Sequence, residues 1–143
     1  IDEFENSIKS DVILNLHSQL KDYAQAIELK TKKLNTIADS ALMLKDYNVA
    51  ELFYQKASRL NPYNVYADNQ IEQIERIKAA NERINLKYEM NIEIADAHYE
   101  AKAYDKAQKF YTKAFELKAK DYPKQQLSKI MNISPTGEVL SAK

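Results

Sequence analysis

The chain repeats itself at a distance of 57 residues, and this internal repeat restricts the available folds more than any other feature of the sequence. Residues 36–60 align with residues 93–117, with the same tyrosines and alanines in the same places. One residue is lost beyond the second copy, so Tyr66 pairs with Tyr122 at a distance of 56. The fold must therefore be one that a chain of 143 residues can build twice in succession.

Each copy carries two stripes of apolar or small residues at the spacing of an α-helix. In the first copy, the first stripe consists of Leu34, Ile37, Ala38, Ala41 and Leu44. The second stripe consists of Tyr47, Ala50, Tyr54, Ala57 and Leu60. Alanines let two helix axes approach closely, and the larger tyrosines fill the space between neighbouring turns. Pro62 ends the second helix because it lacks an amide hydrogen. Each copy therefore predicts a helical hairpin.

The composition agrees with an all-α fold. One Gly and three Pro are too few for the tight turns of an all-β fold. The chain is 45% hydrophobic and 29% charged, which excludes disorder throughout, and no apolar run is long enough to insert into a membrane. Twenty-one basic residues balance twenty-one acidic ones, so the chain has no net positive charge that would attract nucleic acid. Without Cys there is no disulfide or thiolate metal site, and the redox compartment stays open.

The residues that carry a family resemblance are Asp46, Tyr47, Ala50, Tyr54, Ala57 and Pro62. Their spacing over residues 31–64 resembles the tetratricopeptide repeat, a helix-turn-helix unit of about 34 residues. A second, weaker match covers residues 88–121, where Ala119 replaces the final proline. Leu34 and Asn91 stand where the family usually has Trp. The resemblance implies antiparallel hairpins in an elongated, right-handed superhelical array.

The repeat distance exceeds one tetratricopeptide unit by about 23 residues, which contain neither Gly nor Pro. We therefore predict one domain over residues 1–133, with linker helices over about 7–30 and 65–87 and a closing helix over about 122–133. Residues 134–143 hold the only Gly and are predicted to be a flexible tail.

Two alternatives are open for the second linker helix. It either runs straight into the next hairpin or bends near Asn81 or Asn85. Upstream, Lys21-Asp22-Tyr23 imitates the turn of the repeat but lacks the aromatic residue and the alanine that should follow, so we predict that it lies within a helix.

Residues suited to catalysis are scarce. The only Gly lies in the tail, which excludes a Gly-rich phosphate loop. We interpret His98 as a packing residue between helices rather than a metal ligand, and His17 as a residue of a helix surface or contact. We therefore expect no enzyme, no cofactor and no metal site.

The resemblance implies that the first helix of each hairpin lines a concave groove that binds a partner protein. The groove residues would be Lys32, Asn35, Asp39, Leu42 and Met43 in the first hairpin and Glu89, Ile92, Asp96, Tyr99 and Glu100 in the second. Some relatives clamp a C-terminal carboxylate with Asn at the positions of Asp39 and Asp96, and a carboxylate there would repel such a ligand. The mixed acidic and apolar lining favours a basic or amphipathic peptide or helix instead.

An alternative function also stands, because two units can be too few to form a groove and the inserted helices can fill it. The chain would then be a structural spacer or assembly element, with long helices that form a homo-oligomer or pack against other domains.

The chain opens with Ile1 rather than Met, so we expect it to be a piece of a longer protein. The interrupted repeats resemble those of bacterial envelope proteins, especially from Bacteroidetes, which favours the periplasm slightly and leaves the cytoplasm open.

Overall fold

The structure, a computed structural model, describes residues 2–133, and the tail predicted to be flexible lies outside the described residues. The helices are α1 (Asp2–Met43), α2 (Tyr47–Leu60), α3 (Val65–Glu100), α4 (Tyr104–Leu117) and α5 (Asp121–Met131). Residues 2–133 form no strand. The all-α prediction is confirmed, and the five helices fit a tetratricopeptide-like helical repeat fold.

Both hairpins reverse direction through a lysine in the left-handed backbone region. Lys45 and Lys102 occupy equivalent positions, and each has a φ angle of 60°. In the first turn, the Lys45 amide donates to the Leu42 carbonyl and the Asp46 amide to the Ala41 carbonyl, each at 2.9 Å. This bond pair is the Schellman motif, which usually has Gly at the left-handed position. Here lysine accepts the left-handed conformation, at a cost of about 1 to 2 kcal/mol per residue.

The two hairpins differ in how their second helix begins. The Asp46 side chain accepts a hydrogen bond from the Val49 amide at 3.2 Å and so caps the first turn of α2. Ala103 stands at the equivalent position before α4 and forms no side-chain cap. In the second hairpin, the equivalent amide, that of Lys106, donates instead to the backbone carbonyl of Ala103 at 3.1 Å.

The described residues fall into two compact units, with the boundary between Lys78 and Ala79. In the first unit, the core is formed by the C-terminal part of α1, by α2 and by the N-terminal part of α3. Its buried members are Ala38, Ala41, Ala50, Tyr54, Ala57, Ala67 and Ile74. Alanines dominate this set, as close helix packing requires, and its two large buried side chains are Tyr54 and Ile74.

The second unit builds an equivalent core from the C-terminal part of α3, from α4 and from α5. Its buried members are Ala95, Ala107, Tyr111 and Ile130, against which partly buried Ile92, Tyr99, Tyr104, Phe110 and Leu127 pack. Tyr111 takes the place that Tyr54 has in the first unit, 57 positions earlier. The sequence repeat is thus a repeat of packing.

The second linker helix is continuous with the hairpin helix that follows it. Helix α3 runs through Asn81 and Asn85 without a break, so of the two open alternatives the uninterrupted helix is observed. Helix α1 likewise joins the first linker to the first hairpin and contains residues 21–23, as predicted. Each hairpin therefore uses the last part of a long helix as its first arm.

Candidate functional site

An aspartate and two tyrosines join three helices of the first unit. Asp39 lies on α1, and its Oδ1 atom accepts a hydrogen bond from the hydroxyl of Tyr54 on α2. The same oxygen accepts a second bond, at 2.9 Å, from the hydroxyl of Tyr66 on α3. The two tyrosine rings meet edge to face, with centroids 6.2 Å apart. One carboxylate oxygen therefore fixes the positions of α2 and α3 against α1.

The second unit contains the same arrangement. The Oδ1 atom of Asp96 on α3 accepts hydrogen bonds from Tyr111 of α4 at 2.5 Å and from Tyr122 of α5 at 2.8 Å. The tyrosine rings again meet edge to face, at 6.3 Å. We call each set a Tyr-Asp-Tyr cluster. The duplication shows that the cluster is part of the repeat itself.

Both clusters raise the pKa of their tyrosines above the ordinary value of 10.0. For Tyr54 and Tyr111 the main cause is burial, followed by the hydrogen bond to the aspartate. The bond to Asp39 is the main cause of the raised pKa of Tyr66, whereas burial is the main cause for Tyr122. All four phenols are therefore protonated at neutral pH and act as hydrogen-bond donors.

No basic side chain of the described residues pairs with either aspartate. Within residues 2–133 the ion pairs are Arg76 with Glu72 and Lys78 with Glu51, so no Lys or Arg pairs with Asp39 or Asp96. Both aspartates are only half-buried, and their charge is accessible to solvent. Each hairpin thus presents a fixed, uncompensated negative charge on its first helix.

The predicted groove residues lie in two sets, one along α1 and one along α3, and the structure brings members of each set together on one helix. Lys32, Met43, Glu89 and Glu100 are exposed, Asp39, Leu42, Ile92, Asp96 and Tyr99 are half-buried, and Asn35 is buried. Leu42, Ile92 and Tyr99 also pack against the cores. Among the residues that the structure describes, none forms a hydrogen bond with the Oδ1 atom of Asn35. The role of both sets in partner binding stays a prediction.

The sequence predicted a packing role for Tyr54 and its copy Tyr111, but it did not predict the hydrogen bonds of the two clusters. One signal could have found them, since an aspartate precedes a tyrosine by 15 positions in both copies. Across the hairpin turn, this spacing brings the two side chains of neighbouring helices into hydrogen-bond contact.

His98 lies between helices, as predicted. Its ring stacks on Phe110 of α4, with centroids 5.7 Å apart. His17 is exposed on α1.

In the part of the chain that the structure describes, no three potential ligand side chains lie close enough together to hold a metal ion. None of the helices in this part combines the length and apolar character required to cross a membrane.

The family model of the tetratricopeptide repeat matches residues 88–121. These are the bounds predicted for the second hairpin unit, and residues 31–64 repeat them 57 positions earlier. The match supports the tetratricopeptide repeat family and suggests a module for protein–protein interaction. Members of this family are generally not enzymes. No curated protein and no solved structure matches the chain.

Proposed function

We propose that the chain is a protein-binding scaffold that holds a basic or amphipathic segment of a partner along the first helix of each hairpin. The observation that carries this proposal is the pair of uncompensated carboxylates, Asp39 and Asp96. Because two tyrosines hold each carboxylate in place, little side-chain entropy is lost when a cation of the partner approaches it.

The two surfaces differ in charge, and this refines the expected partner. The set on α3 contains three acidic side chains, Glu89, Asp96 and Glu100, and no basic one. The set on α1 contains Lys32 beside Asp39 and ends in Met43, which is 85% exposed. A partner segment rich in Lys or Arg would match the set on α3, and a segment that combines a basic and an apolar residue would match the set on α1.

Binding of acidic and basic versions of one helical peptide tests the proposal. The basic peptide should bind more tightly, and its affinity should fall as salt is added. The double variant Asp39→Asn, Asp96→Asn keeps an acceptor oxygen for the tyrosines but removes both charges. Exposed ion pairs contribute about 0.2 to 1 kcal/mol each, so the variant should bind the basic peptide about 2- to 30-fold more weakly.

A charge-matched control separates a local effect from a change in net charge. The double variant Glu75→Gln, Glu82→Gln removes two exposed carboxylates of α3 that lie outside both sets. It should bind the basic peptide as tightly as the unmodified chain does. Tighter binding of the acidic peptide, or equal losses in the two double variants, would contradict the proposal.

A second candidate function is a structural spacer or assembly element of a larger multidomain protein. It is favoured by the N-terminal part of α1, where residues 2–26 are all exposed and include several large apolar side chains. The resemblance to bacterial envelope proteins would place such an element in the periplasm. Localisation of the tagged protein by cell fractionation tests that placement, and recovery in the cytoplasmic fraction would exclude it.

A further inference from the structure

The N-terminal part of α1 carries an apolar stripe that nothing in the described residues covers. Ile13, Leu16, Leu20 and Tyr23 are 64%, 54%, 67% and 67% exposed. Helices in proteins are held mainly by burial of an amphipathic face rather than by intrinsic propensity. A segment of this length with large exposed apolar side chains therefore needs a partner surface.

The spacing along this stripe is that of a coiled coil. Ile13, Leu16, Leu20, Tyr23 and Ile27 follow one another at alternating distances of three and four residues. The stripe is bounded by Lys9 and Lys30 at the same spacing. We call residues 13–27 the α1 stripe. Its pattern indicates a second helix as the partner, packed by insertion of side chains between those of α1.

The charges of this segment agree with a helical partner. The positions that flank the α1 stripe on either side are Val12, His17, Gln19, Ala24 and Ala26, with no carboxylate, Lys or Arg among them. The charged residues Asp11, Lys21, Asp22 and Glu28 all lie on the outer positions. Two identical stripes can therefore meet without repulsion between like charges, and the alanines let the helices approach closely.

The α1 stripe continues an interface that the molecule already forms. Leu34 and Ala41 lie seven and fourteen positions beyond Ile27 and so continue the spacing of the stripe. Both pack in the core where α1 meets α2. Helix α2 thus covers two positions of this seam, whereas Ile37 and Leu44, which also continue it, are 46% and 83% exposed. The N-terminal part has the same character and stays exposed.

A further tetratricopeptide-like hairpin does not fit the α1 stripe. In the second copy of the linker, Ala67 and Ile74 are the buried residues that pack on a hairpin. The residues 57 positions earlier are polar, namely Ser10 and His17. At about 100° per residue, the stripe lies about a quarter turn away from that face. The linker of α1 therefore lacks the hairpin-packing face and presents a different apolar face.

We propose that the α1 stripe pairs with the same stripe of a second copy of the chain in an antiparallel coiled coil. A parallel pair would bring the first hairpins of the two copies to the same end, where α2 already packs on part of each α1. An antiparallel pair places the hairpins at opposite ends of a two-fold symmetric dimer. Ile13 then faces Tyr23 of the second copy, and Leu16 faces Leu20 of the second copy. This proposal gives the assembly candidate a partner and does not depend on peptide binding by the hairpins.

The mass of the protein in solution tests the pairing. Sedimentation equilibrium should show a concentration-dependent dimer, with about twice the 16.5 kDa mass of one chain. The variants Ile13→Glu and Leu20→Glu should be monomers at concentrations where the unmodified chain is a dimer. Leu14→Glu is the matched control, because Leu14 is 64% exposed like Ile13 but lies outside the stripe. It should remain a dimer.

Each other outcome of this experiment overturns the proposal. An unmodified chain that stays monomeric would mean that something other than a second copy covers the stripe. Equal loss of the dimer in Ile13→Glu and Leu14→Glu would mean unspecific association of apolar residues. Because these side chains are exposed within one chain, the substitutions do not disturb the cores. Binding of the basic peptide by monomeric Ile13→Glu should match that of the unmodified chain, so failure of one proposal leaves the other intact.

The orientation of the two helices can be tested by disulfide formation, since the chain contains no Cys. The variants Ile13→Cys and Tyr23→Cys should form little disulfide alone, because each position faces the other one across the dimer. A mixture of the two variants should form a disulfide-linked pair under the same oxidising conditions. Efficient linkage within each variant alone would indicate parallel helices and overturn the antiparallel arrangement.

Discussion

At the scale of single residues, the Tyr-Asp-Tyr clusters have both a structural and a functional consequence. Each aspartate accepts two phenolic hydrogen bonds, and within residues 2–133 no basic residue forms an ion pair with it. The sequence predicted that Asp39 and Asp96 lie on the first helices, but not that tyrosines hold them. Which hydroxyl reaches which oxygen depends on side-chain rotamers across the turn, and helical periodicity carries no information about these.

Removal of one cluster hydroxyl should destabilise the fold. Tyr54→Phe keeps the buried ring but leaves Asp39 with one donor fewer, and hydrogen bonds to charged groups contribute about 1.5 to 3 kcal/mol. Urea unfolding should show a loss of this size for Tyr54→Phe and for Tyr111→Phe. The control is Tyr63→Phe, at a position that is 95% exposed, and its stability should be unchanged. Equal stability of Tyr54→Phe and Tyr63→Phe would contradict the structural role of the cluster.

The raised tyrosine pKa values predict a loss of stability in alkali. A group whose pKa is higher in the folded state than its ordinary value of 10.0 stabilises the fold fully below that value. This stability is lost as the pH rises through the folded-state pKa. The free energy of unfolding should therefore fall above about pH 10, and more gradually in the double variant Tyr54→Phe, Tyr111→Phe. A free energy of unfolding that stays constant above this pH would contradict the prediction.

At the scale of helices and turns, the sequence was most informative where local chemistry decides the structure. The stripes of alanine and tyrosine predicted α2 and α4, and Pro62 predicted the end of α2. The choice between a continuous and a bent α3 could not be made from sequence. Asn81 and Asn85 cost a helix well under about 1 kcal/mol each, so they are compatible with both alternatives.

The missing cap of α4 predicts that one substitution can stabilise the second hairpin. Ala103→Asp would place a carboxylate where Asp46 caps α2, and such a cap contributes about 0.5 to 2 kcal/mol. Thermal unfolding should show a gain for Ala103→Asp and a similar loss for Asp46→Ala. Destabilisation by Ala103→Asp would mean that the two turns are not equivalent, despite the shared φ angle of Lys45 and Lys102.

At the scale of the whole molecule, the internal repeat was sufficient to predict the fold class and the bounds of the repeat that the family model matches. The same repeat also marks where the copies differ. The linker preceding the first hairpin has Ser10 and His17 in place of buried Ala67 and Ile74, and its apolar residues lie on another face. Sequence periodicity showed those residues to be apolar, but only the structure shows that they are uncovered.

The central claim is that the first helix of each hairpin binds a basic or amphipathic segment. The most direct measurement is a map of backbone amide chemical shifts during titration with the basic helical peptide. The largest changes should fall on residues 32–43 and 89–100, and they should shrink in the double variant Asp39→Asn, Asp96→Asn. Changes confined to α2 and α4, or equally large in the double variant, would contradict the claim.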